Sequence, residues 1–180
     1  MQQQGLHVTR EQAEIIKCKY GEVAKDYDAQ LKTAREHLNP EPYELPNGQK
    51  IHANLKAQCL MCPEQLFQPK DSMDAKGIHN YTFDAVMKCD PDIKRELFRN
   101  IVLAGGSTMF RGMKERMKKE ICALAPSPMQ PEVETPADRK YSCWLGGAIL
   151  SKIEKFDSMW ITKKEFDERG KGLVVHEKCF

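Results

Sequence analysis

An α/β fold is predicted, because segments of helical spacing and short strand-like runs occur along the same chain. Residues 9–24 favour a helix, since Thr9 can cap it with Gln12 three residues on. A hairpin is indicated at residues 43–45 and 49–53, which flank Pro46-Asn47-Gly48. A strand-like run at residues 100–103, with the β-branched residues Ile101 and Val102, leads toward a glycine doublet and then an amphipathic helix. The apolar face of the first helix is predicted to comprise Ala13, Ile16, Tyr20 and Val23.

Further helices are predicted between these landmarks. Residues 28–38 favour a second helix, which ends before Pro40 and Pro42 because proline bars the preceding residue from a helix. Residues 62–67 and 84–87 are predicted to form short helical turns. Residues 91–99 are predicted to form a helix that carries Pro91 in its first turn, where proline is tolerated.

The glycine doublet Gly105-Gly106 is the most informative feature of the chain. It removes every Cβ that would hold a ligand away from the backbone, and Ser107 and Thr108 can cap the helix that follows. The start of that helix would offer unpaired N–H groups and a positive dipole end, which suit phosphate or the polar edge of a nucleotide. A plain tight turn is the alternative.

One face of the next helix is methionine-rich. Met113, Met117, Ile121 and Leu124 recur at helical spacing, which favours a core position, although methionine faces can also bind partners. Pro126 and Pro128 end the helix, residues 132–135 are predicted to form a strand, and residues 144–153 resume helical spacing. A basic cluster opposite the stripe could meet phosphates or an acidic partner, but a solvated face is favoured because no aromatic residues interleave to stack bases. The cluster comprises Arg111, Lys114, Arg116, Lys118 and Lys119.

Composition narrows the class of protein. The chain has 180 residues, 41% of them hydrophobic and 30% charged, with a net charge of +2 that does not by itself imply nucleic acid. No apolar stretch approaches the roughly 18 residues that span a bilayer, and the first residues lack the apolar core of a secretory signal. Seven scattered cysteines favour reduced thiols in a cytosolic setting.

Catalytic and metal motifs are sparse. Cys59 and Cys62 have the spacing of a metal or redox pair, yet no second pair lies where a closed zinc site needs it. His79 follows Gly-Ile, where a lone histidine more often satisfies backbone groups at a turn. Dinucleotide, P-loop and serine-hydrolase motifs are not present. We therefore predict no catalytic residue and no metal ligand.

Several longer motifs resemble one family. They are LAGGSTMFRGMKERMKKEICALAPS, DRKYSCWLGGAILSKIEKFDSMWITKKEFDERG, the final HEKCF and, upstream, YELPNGQ, CPE with LFQP, GIH and MKCD. Together they resemble the C-terminal half of actins and close actin-related proteins, with the likeness thinning before Tyr43. The substitutions are numerous enough to make this a divergent member.

The resemblance implies an α/β, actin-like (ribonuclease H-like) ATPase fold, of which this chain is the C-terminal half, with incomplete central sheets. Residues 1–73 would form a smaller subdomain resembling actin subdomain 4. Residues 74–141 would form the nucleotide-contacting α/β part resembling subdomain 3, and residues 142–180 the C-terminal helices resembling the end of subdomain 1.

The resemblance also implies a nucleotide site. Lys140 falls on the lysine that lies over the adenine, and Lys17 on the lysine near the adenine and ribose. Cys18 occupies the position of a glutamate that helps fix the nucleoside, and a thiol is the weaker hydrogen-bonding group. Phe110 replaces the usual tyrosine and keeps its stacking face. The residues that fall on the family's adenosine-contacting loop are Gly105, Gly106, Ser107, Met109 and Phe110.

The resemblance does not imply a site for the phosphates of the nucleotide. Actins hold the phosphates and their metal with two hairpins of the N-terminal half, which the resemblance does not reach. ATP or ADP is therefore expected to bind at a weak or partial site, with Mg or Ca held only through the phosphates. We expect no meaningful ATP hydrolysis by this chain alone.

A partner surface is implied near the C-terminus. Ile149, Leu150, Ile153 and Met159 match part of the groove through which actins receive amphipathic helices, although a core role is equally compatible with their apolar character. Residues 69–76 carry charge where actins have an apolar loop, which predicts weak or absent conventional filaments.

Three functions follow from the sequence. The first is a divergent or truncated actin-like cytoskeletal protein of the cytoplasm, which acts through actin, actin-binding proteins or a missing N-terminal half. The second is the C-terminal fragment of a full-length actin-family ATPase that binds ATP and polymerises. The third and most remote is a basic nucleic-acid-binding module, for which steep salt dependence of DNA binding would be the sign.

Overall fold

A computed structural model describes residues 8–36, 43–44, 48, 50–51, 55–70, 75–170, 172 and 176–177. The chain divides into two compact units, Met1–Lys140 (unit 1) and Tyr141–Phe180 (unit 2). The three-part division implied by the resemblance stays a prediction, and its first boundary lies outside the described residues.

The helices and strands of unit 1 occur in the following order: α1 (Arg10–Tyr20), α2 (Tyr27–Glu36), β1 (Tyr43–Glu44), β2 (Lys50–Ile51), α3 (Leu55–Glu64), α4 (Ile78–Met87), α5 (Pro91–Arg99), β3 (Ile101–Val102), α6 (Met113–Leu124) and β4 (Val133–Glu134).

Helix α1 begins as its sequence predicts and ends earlier. The Thr9 hydroxyl accepts a hydrogen bond from the Gln12 N–H (3.2 Å), and the Gln12 side chain accepts one from the Thr9 N–H (2.9 Å). The predicted continuation to residue 24 is wrong, because Gly21 adopts an extended conformation after Tyr20. Val23 is buried, but from an extended segment beyond the helix.

The first core lies between α2 and α3. It is formed by alanine and leucine side chains and one tyrosine, namely Ala24, Tyr27, Leu31, Ala34, Ala57 and Leu60. Helix α3 is longer than the predicted turn at residues 62–67, since burial of Leu55 and its neighbours extends helical packing toward the N-terminus. Strands β1 and β2 pair antiparallel with Tyr43 opposite Ile51, which confirms the predicted hairpin for these residues; residues 45–47, 49 and 52–53 of the prediction lie outside the described part of the chain.

The second core holds the glycine junction in place. Helix α5 has both predicted ends, with the Asp90 side chain accepting a hydrogen bond from the Asp92 N–H at its start. Strands β3 and β4 pair in parallel, with Ile101 opposite Val133. Helix α4 covers ten residues rather than the short turn predicted at 84–87. The buried members of this core are Val23, Phe67, Val86, Phe98, Ile101, Leu103, Met113, Met117, Ile121 and Val133.

Helix α6 has its methionine stripe in this core, but two predictions about it need correction. Met113, Met117 and Ile121 are buried as predicted, whereas Leu124 at the helix end is 37% exposed. The basic cluster is not one solvated face. Arg116 is buried against the core, while Lys118 pairs with Glu132 at the surface (2.8 Å).

Arg116 is tolerated inside because every side of its guanidinium group has a partner. Nη1 and Nη2 donate to the two carboxylate oxygens of Glu64 at 2.9 and 2.8 Å, and Nη1 also donates to the Ala24 carbonyl (2.7 Å). Nε donates to Glu120. The guanidinium carbon lies 4.8 Å from the centre of the Phe67 ring. One residue thus connects α6, α3 and the segment after α1.

His79 lies next to this cluster and differs from its predicted role. Its ring stacks on Phe67 with centroids 5.8 Å apart, and its Nε2 lies 2.9 Å from the Asn80 side-chain amide. Its buried Nδ1 has no hydrogen-bond partner among the described residues, so the ring does not satisfy backbone groups at the turn. Burial lowers the pKa of His79, and Arg116 lowers it further, against the opposing effect of Glu120 and Glu64.

Stability of the folded chain is therefore expected to decrease on mild acidification. The ordinary pKa of 6.5 applies to His79 in the unfolded chain and a lower pKa to the folded chain. The unfolded state then binds more protons once the pH falls below 6.5, so the free energy of unfolding falls until the folded-state pKa is passed. Urea unfolding at about pH 7.5 and about pH 5.5 measures this. His79→Gln should lack that pH dependence, and an equal slope in both proteins would contradict the assignment.

Unit 2 consists of helices with apolar side chains on the surface. They are α7 (Ser142–Leu150), α8 (Phe156–Met159) and α9 (Lys163–Arg169), the last begun by a Thr162–Glu165 capping box. The predicted helix over residues 144–153 stops at Leu150. Trp144 is 74% exposed. No helix in the described part of the chain is long and apolar enough to span a bilayer.

Candidate nucleotide site

The glycine doublet follows β3 after Leu103 and Ala104, and hydrogen bonds to the chain after β4 continue along this segment. The Leu103 N–H donates to the Glu134 carbonyl (2.9 Å), and the Gly105 N–H donates to the Arg139 carbonyl (2.7 Å). Between these two bonds the chain turns, and Gly105 takes φ +98°, a conformation that residues with a Cβ rarely adopt. The backbone conformation at position 105 therefore requires glycine.

The predicted capping role of Ser107 and Thr108 is wrong. Gly106–Met109 form a short 3-10 turn, and α6 begins only at Met113, after Gly112. The Thr108 hydroxyl instead donates to the Gly105 carbonyl (2.7 Å) and closes the turn. The dipole of the long helix therefore does not start at the glycines, and the loop has only its own backbone to offer a ligand.

Arg139, in the segment after β4, stabilises this loop through hydrogen bonds. Its Nε donates to the Thr108 carbonyl (3.2 Å) and its Nη1 to the Pro136 carbonyl (3.1 Å), while its own carbonyl accepts from Gly105. Lys140 follows immediately in the chain and is exposed. The hydrogen bond between Gly105 and Arg139 brings the chain at Lys140 close to the glycine loop, and a shared nucleotide site stays a prediction.

Space is open beside the glycines. A Cβ added at Gly105 or Gly106 would meet no heavy atom within 4 Å. Gly106 and Ser107 are exposed, and Met109 is 41% exposed. A ligand can therefore reach the loop backbone, which a Cβ pointing into that space would obstruct.

The end of α1 joins the loop through two further glycines. A Cβ at Gly21 would overlap the Phe110 ring, so only glycine lets the ring lie against the end of α1. The Val23 N–H donates to the Arg111 carbonyl (2.8 Å), and Gly112 lies against the Val23 carbonyl. Lys17, whose carbonyl accepts from the Gly21 N–H, is thereby held near Phe110. Every predicted nucleotide residue lies on one of these adjoining segments.

A cavity of about 500 Å³ lies between α1 and α3 and reaches Gly21. Ile16 and Cys59 are its buried apolar residues, and Lys17 stands at its rim. Cys18 is exposed and is not one of the residues that line it. Of the lining residues, the sequence predicted only Lys17 for a nucleotide site, although a spacing of three and four along α1 marks one helix face. The remaining lining residues are Arg10, Ala13, Glu14, Gln58 and Cys62.

The two thiols of this cavity differ in exposure, because the thiol of Cys62 is exposed. Cys59 is buried, and burial, with a smaller effect of Cys62, raises the pKa of its thiol to about 11. It is therefore protonated at neutral pH, whereas metal ligation uses the thiolate. No group of three or more histidine, cysteine or acidic side chains suited to a metal occurs among the residues that the structure describes.

The predicted partner residues lie in unit 2. Ile149 and Leu150 end α7, Ile153 follows in a turn, and Met159 ends α8. All four are exposed, so a core role within the described chain does not apply to them. Their role toward a partner stays a prediction.

The fold and this loop define an α/β protein in which hydrogen bonds from Arg139 hold an exposed glycine turn near the end of a strand. Comparison with protein-family models gives a match of the Actin family over residues 6–180. The chain belongs to the actin family. Its mixed helices and strands are compatible with an actin-like α/β fold.

Proposed function

We propose that this chain is an actin-like cytoskeletal protein of the cytoplasm that binds the adenosine part of ATP or ADP and acts through contacts with other proteins. The open backbone at Gly105-Gly106 is the observation that supports the nucleotide site most directly. Family membership makes adenine nucleotides the ligand to test first.

In this proposal the loop binds the nucleoside mainly through backbone and apolar contact. Gly105 and Gly106 allow close approach, Ser107 adds a hydroxyl, and Met109 presents an exposed apolar side chain. Phe110 offers a ring for stacking at the end of α1. Lys17 and Lys140 bring positive charge from the two sides of the loop, and Mg or Ca would arrive with the phosphates.

The protein contacts are proposed for unit 2. Ile149, Leu150, Ile153 and Met159 are exposed apolar residues of the kind that receive the apolar face of an amphipathic helix. Actin or actin-binding proteins are the partners we propose. Nucleic acid is a weaker candidate, because burial withdraws Arg116 from the basic surface and Lys118 is paired with Glu132.

Gly106→Ala tests the nucleotide site. The added Cβ meets no protein atom, so the fold should be unaffected, while a ligand on the loop loses its close approach. We expect an affinity for ATP and ADP about tenfold lower, or ~1.4 kcal/mol, in a calorimetric titration.

Gly147→Ala is the matched control. Gly147 also has no heavy atom near its added Cβ, but it lies in α7. Alanine there should leave nucleotide affinity unchanged and raise helix stability by about 0.5–1 kcal/mol. The nucleotide site is refuted if the unaltered protein shows no saturable binding of ATP or ADP, or if both alanine variants bind as it does.

A further inference from the structure

Cys59 and Cys62 are three residues apart on α3, and no other two of the seven cysteines have this spacing. In a regular helix the Cα atoms of such residues are about 5 Å apart, within the ~4.4–6.8 Å that a disulfide bridges. Both residues line the cavity between α1 and α3, so their side chains lie on the same side of the helix. The two cysteines are therefore placed to form a disulfide with each other.

The turn of α3 that contains both cysteines lacks one helical hydrogen bond. Pro63 lies within the helix and has no N–H to donate to the Cys59 carbonyl, which instead accepts a hydrogen bond from the Glu22 N–H (3.4 Å). Cβ atoms three residues apart on a helix are about 5–6 Å from each other, whereas a disulfide needs about 3.5–4.5 Å, so the turn must tighten. A turn with one bond fewer tightens at a lower cost in free energy.

The two sulfur atoms differ in their access to a dissolved reagent. The Cys62 thiol is exposed, whereas Cys59 is only 7% exposed. A reagent from solution therefore meets Cys62 first, and Cys59 reacts only with a group that is already attached to Cys62.

The space around Cys59 contains more positive than negative side chains. This residue lines both the cavity between α1 and α3 and a second cavity of about 240 Å³. An excess of cations favours an anionic reagent. Oxidised glutathione is such a reagent, since it is a small disulfide whose carboxylates outnumber its ammonium groups. The charged residues of the two cavities are the cations Arg10, Lys17, Lys56 and Arg111 and the carboxylates Glu14 and Glu22, with Tyr20 and Cys62 as further titratable groups.

We propose that Cys59 and Cys62 form a reversible disulfide by exchange with a small anionic disulfide of the glutathione class. The Cys62 thiolate attacks one sulfur of the reagent, the sulfur–sulfur bond of the reagent breaks, and one reduced thiol leaves. The Cys59 thiol then gives up its proton and attacks the Cys62 sulfur, and the second reduced thiol leaves with the electron pair of the mixed disulfide. The protein pair is oxidised, and its two thiol protons end on the two reduced thiols. Neither step needs a bound nucleotide, so this site goes beyond the proposed function.

Closure of the disulfide is expected to be slow at neutral pH and faster in alkali. Burial, with a smaller effect of Cys62, raises the pKa of the Cys59 thiol to about 11, and only the thiolate attacks. Below that pKa the thiolate fraction rises about tenfold per pH unit, so the mixed disulfide at Cys62 should close about tenfold faster at about pH 9 than at about pH 8.

The test treats the reduced full chain with oxidised glutathione, alkylates the remaining thiols and maps the tryptic peptides by mass spectrometry. Cleavage after Lys56 and Lys70 gives one peptide, residues 57–70, that contains Cys59 and Cys62 and no other cysteine. We expect first a glutathione adduct on this peptide and then an internal disulfide, in which neither cysteine is alkylated. Cys122 is the matched control in the same digest, because it is exposed on α6 with no second cysteine one turn away, and it should stop at the adduct.

Two variants separate the roles of the cysteines. Cys59→Ser should keep the glutathione adduct at Cys62 without closing a disulfide. Cys62→Ser should leave the peptide unmodified, because the thiol of Cys59 is buried. Far-UV circular dichroism of each protein checks that it is folded, and if a variant is not, the unaltered chain with Cys122 as its control decides the test.

Three results would overturn the proposal. The first is a peptide 57–70 that stays reduced in the unaltered chain while Cys122 forms its adduct. The second is an adduct at Cys62 that does not close even at about pH 9. The third is an internal disulfide that forms only after urea has unfolded the chain. Absence of ATP binding would refute the nucleotide site and leave this assignment unaffected.

Discussion

Arg116→Met is expected to destabilise the folded chain by about 3–5 kcal/mol, which is a large part of the stability of a typical domain. The side chains of Arg116 and Glu64 are only 4% and 1% exposed. Removing the guanidinium leaves the Glu64 carboxylate buried without its two donors, and the Ala24 carbonyl loses its bond as well. A buried uncompensated charge carries most of the expected cost.

The measurement is urea unfolding followed by far-UV circular dichroism, with two matched variants. Lys118→Met removes an exposed cation of the same helix, paired with Glu132, and should cost far less than Arg116→Met because solvent screens the pair. The double variant Arg116→Met with Glu64→Leu removes both charges and should recover much of the loss, since apolar residues can replace a buried pair. Both tryptophans, Trp144 and Trp160, lie in unit 2, so fluorescence reports on that unit separately.

Two results would contradict this account. An Arg116→Met protein as stable as Lys118→Met would show that the buried pair contributes no more than a surface pair. A double variant less stable than the single variant would show that Glu64 is held by partners other than Arg116.

Local signals predicted much of the fold because each depends on residues close in sequence. Thr9 with Gln12 fixed the start of α1, and Pro91 fixed the start of α5. The stripe through Met113 and Ile121 found the buried face of α6. Caps and helical periodicity act within a turn or two, so one chain segment contains all the information they need.

Long-range pairing could not be predicted in this way. Arg116 and Glu64 are 52 residues apart, and residue type alone places an arginine on the surface of a helix. The end of α1 was misplaced for a related reason: Val23 continues the apolar spacing, but it lies beyond the helix, where its N–H pairs with the Arg111 carbonyl and its side chain packs in the second core. The glycine loop was found from its local pattern, whereas the cavity between α1 and α3 depends on the packing of two helices that are distant in sequence.

Gly112→Ala is expected to lower both stability and nucleotide affinity. Gly112 has φ +77° and ψ −3°, a left-handed conformation that costs a residue with a Cβ about 1–2 kcal/mol. The added Cβ would also overlap the Val23 carbonyl, so the extended segment after α1 must move. With overpacking at about 1–3 kcal/mol, we expect a total loss near ~3 kcal/mol in urea unfolding.

Gly112→Ala should lower nucleotide affinity because Val23 connects the end of α1 to the chain beside the glycine loop. Its N–H pairs with Arg111, next to Phe110, so displacing it separates the end of α1 from the glycine loop and Lys17 from its neighbours. Gly48→Ala is the control, because Gly48 has φ +79° and no heavy atom of the described residues lies within 4 Å of its added Cβ. This variant should lose only the backbone cost of about 1 kcal/mol and keep its affinity. Gly106→Ala should show the reverse, with affinity lost and stability kept. If Gly112→Ala matches Gly48→Ala in both measurements, the contact with Val23 does not hold the two segments together, and the site must be ordered by Arg139 alone.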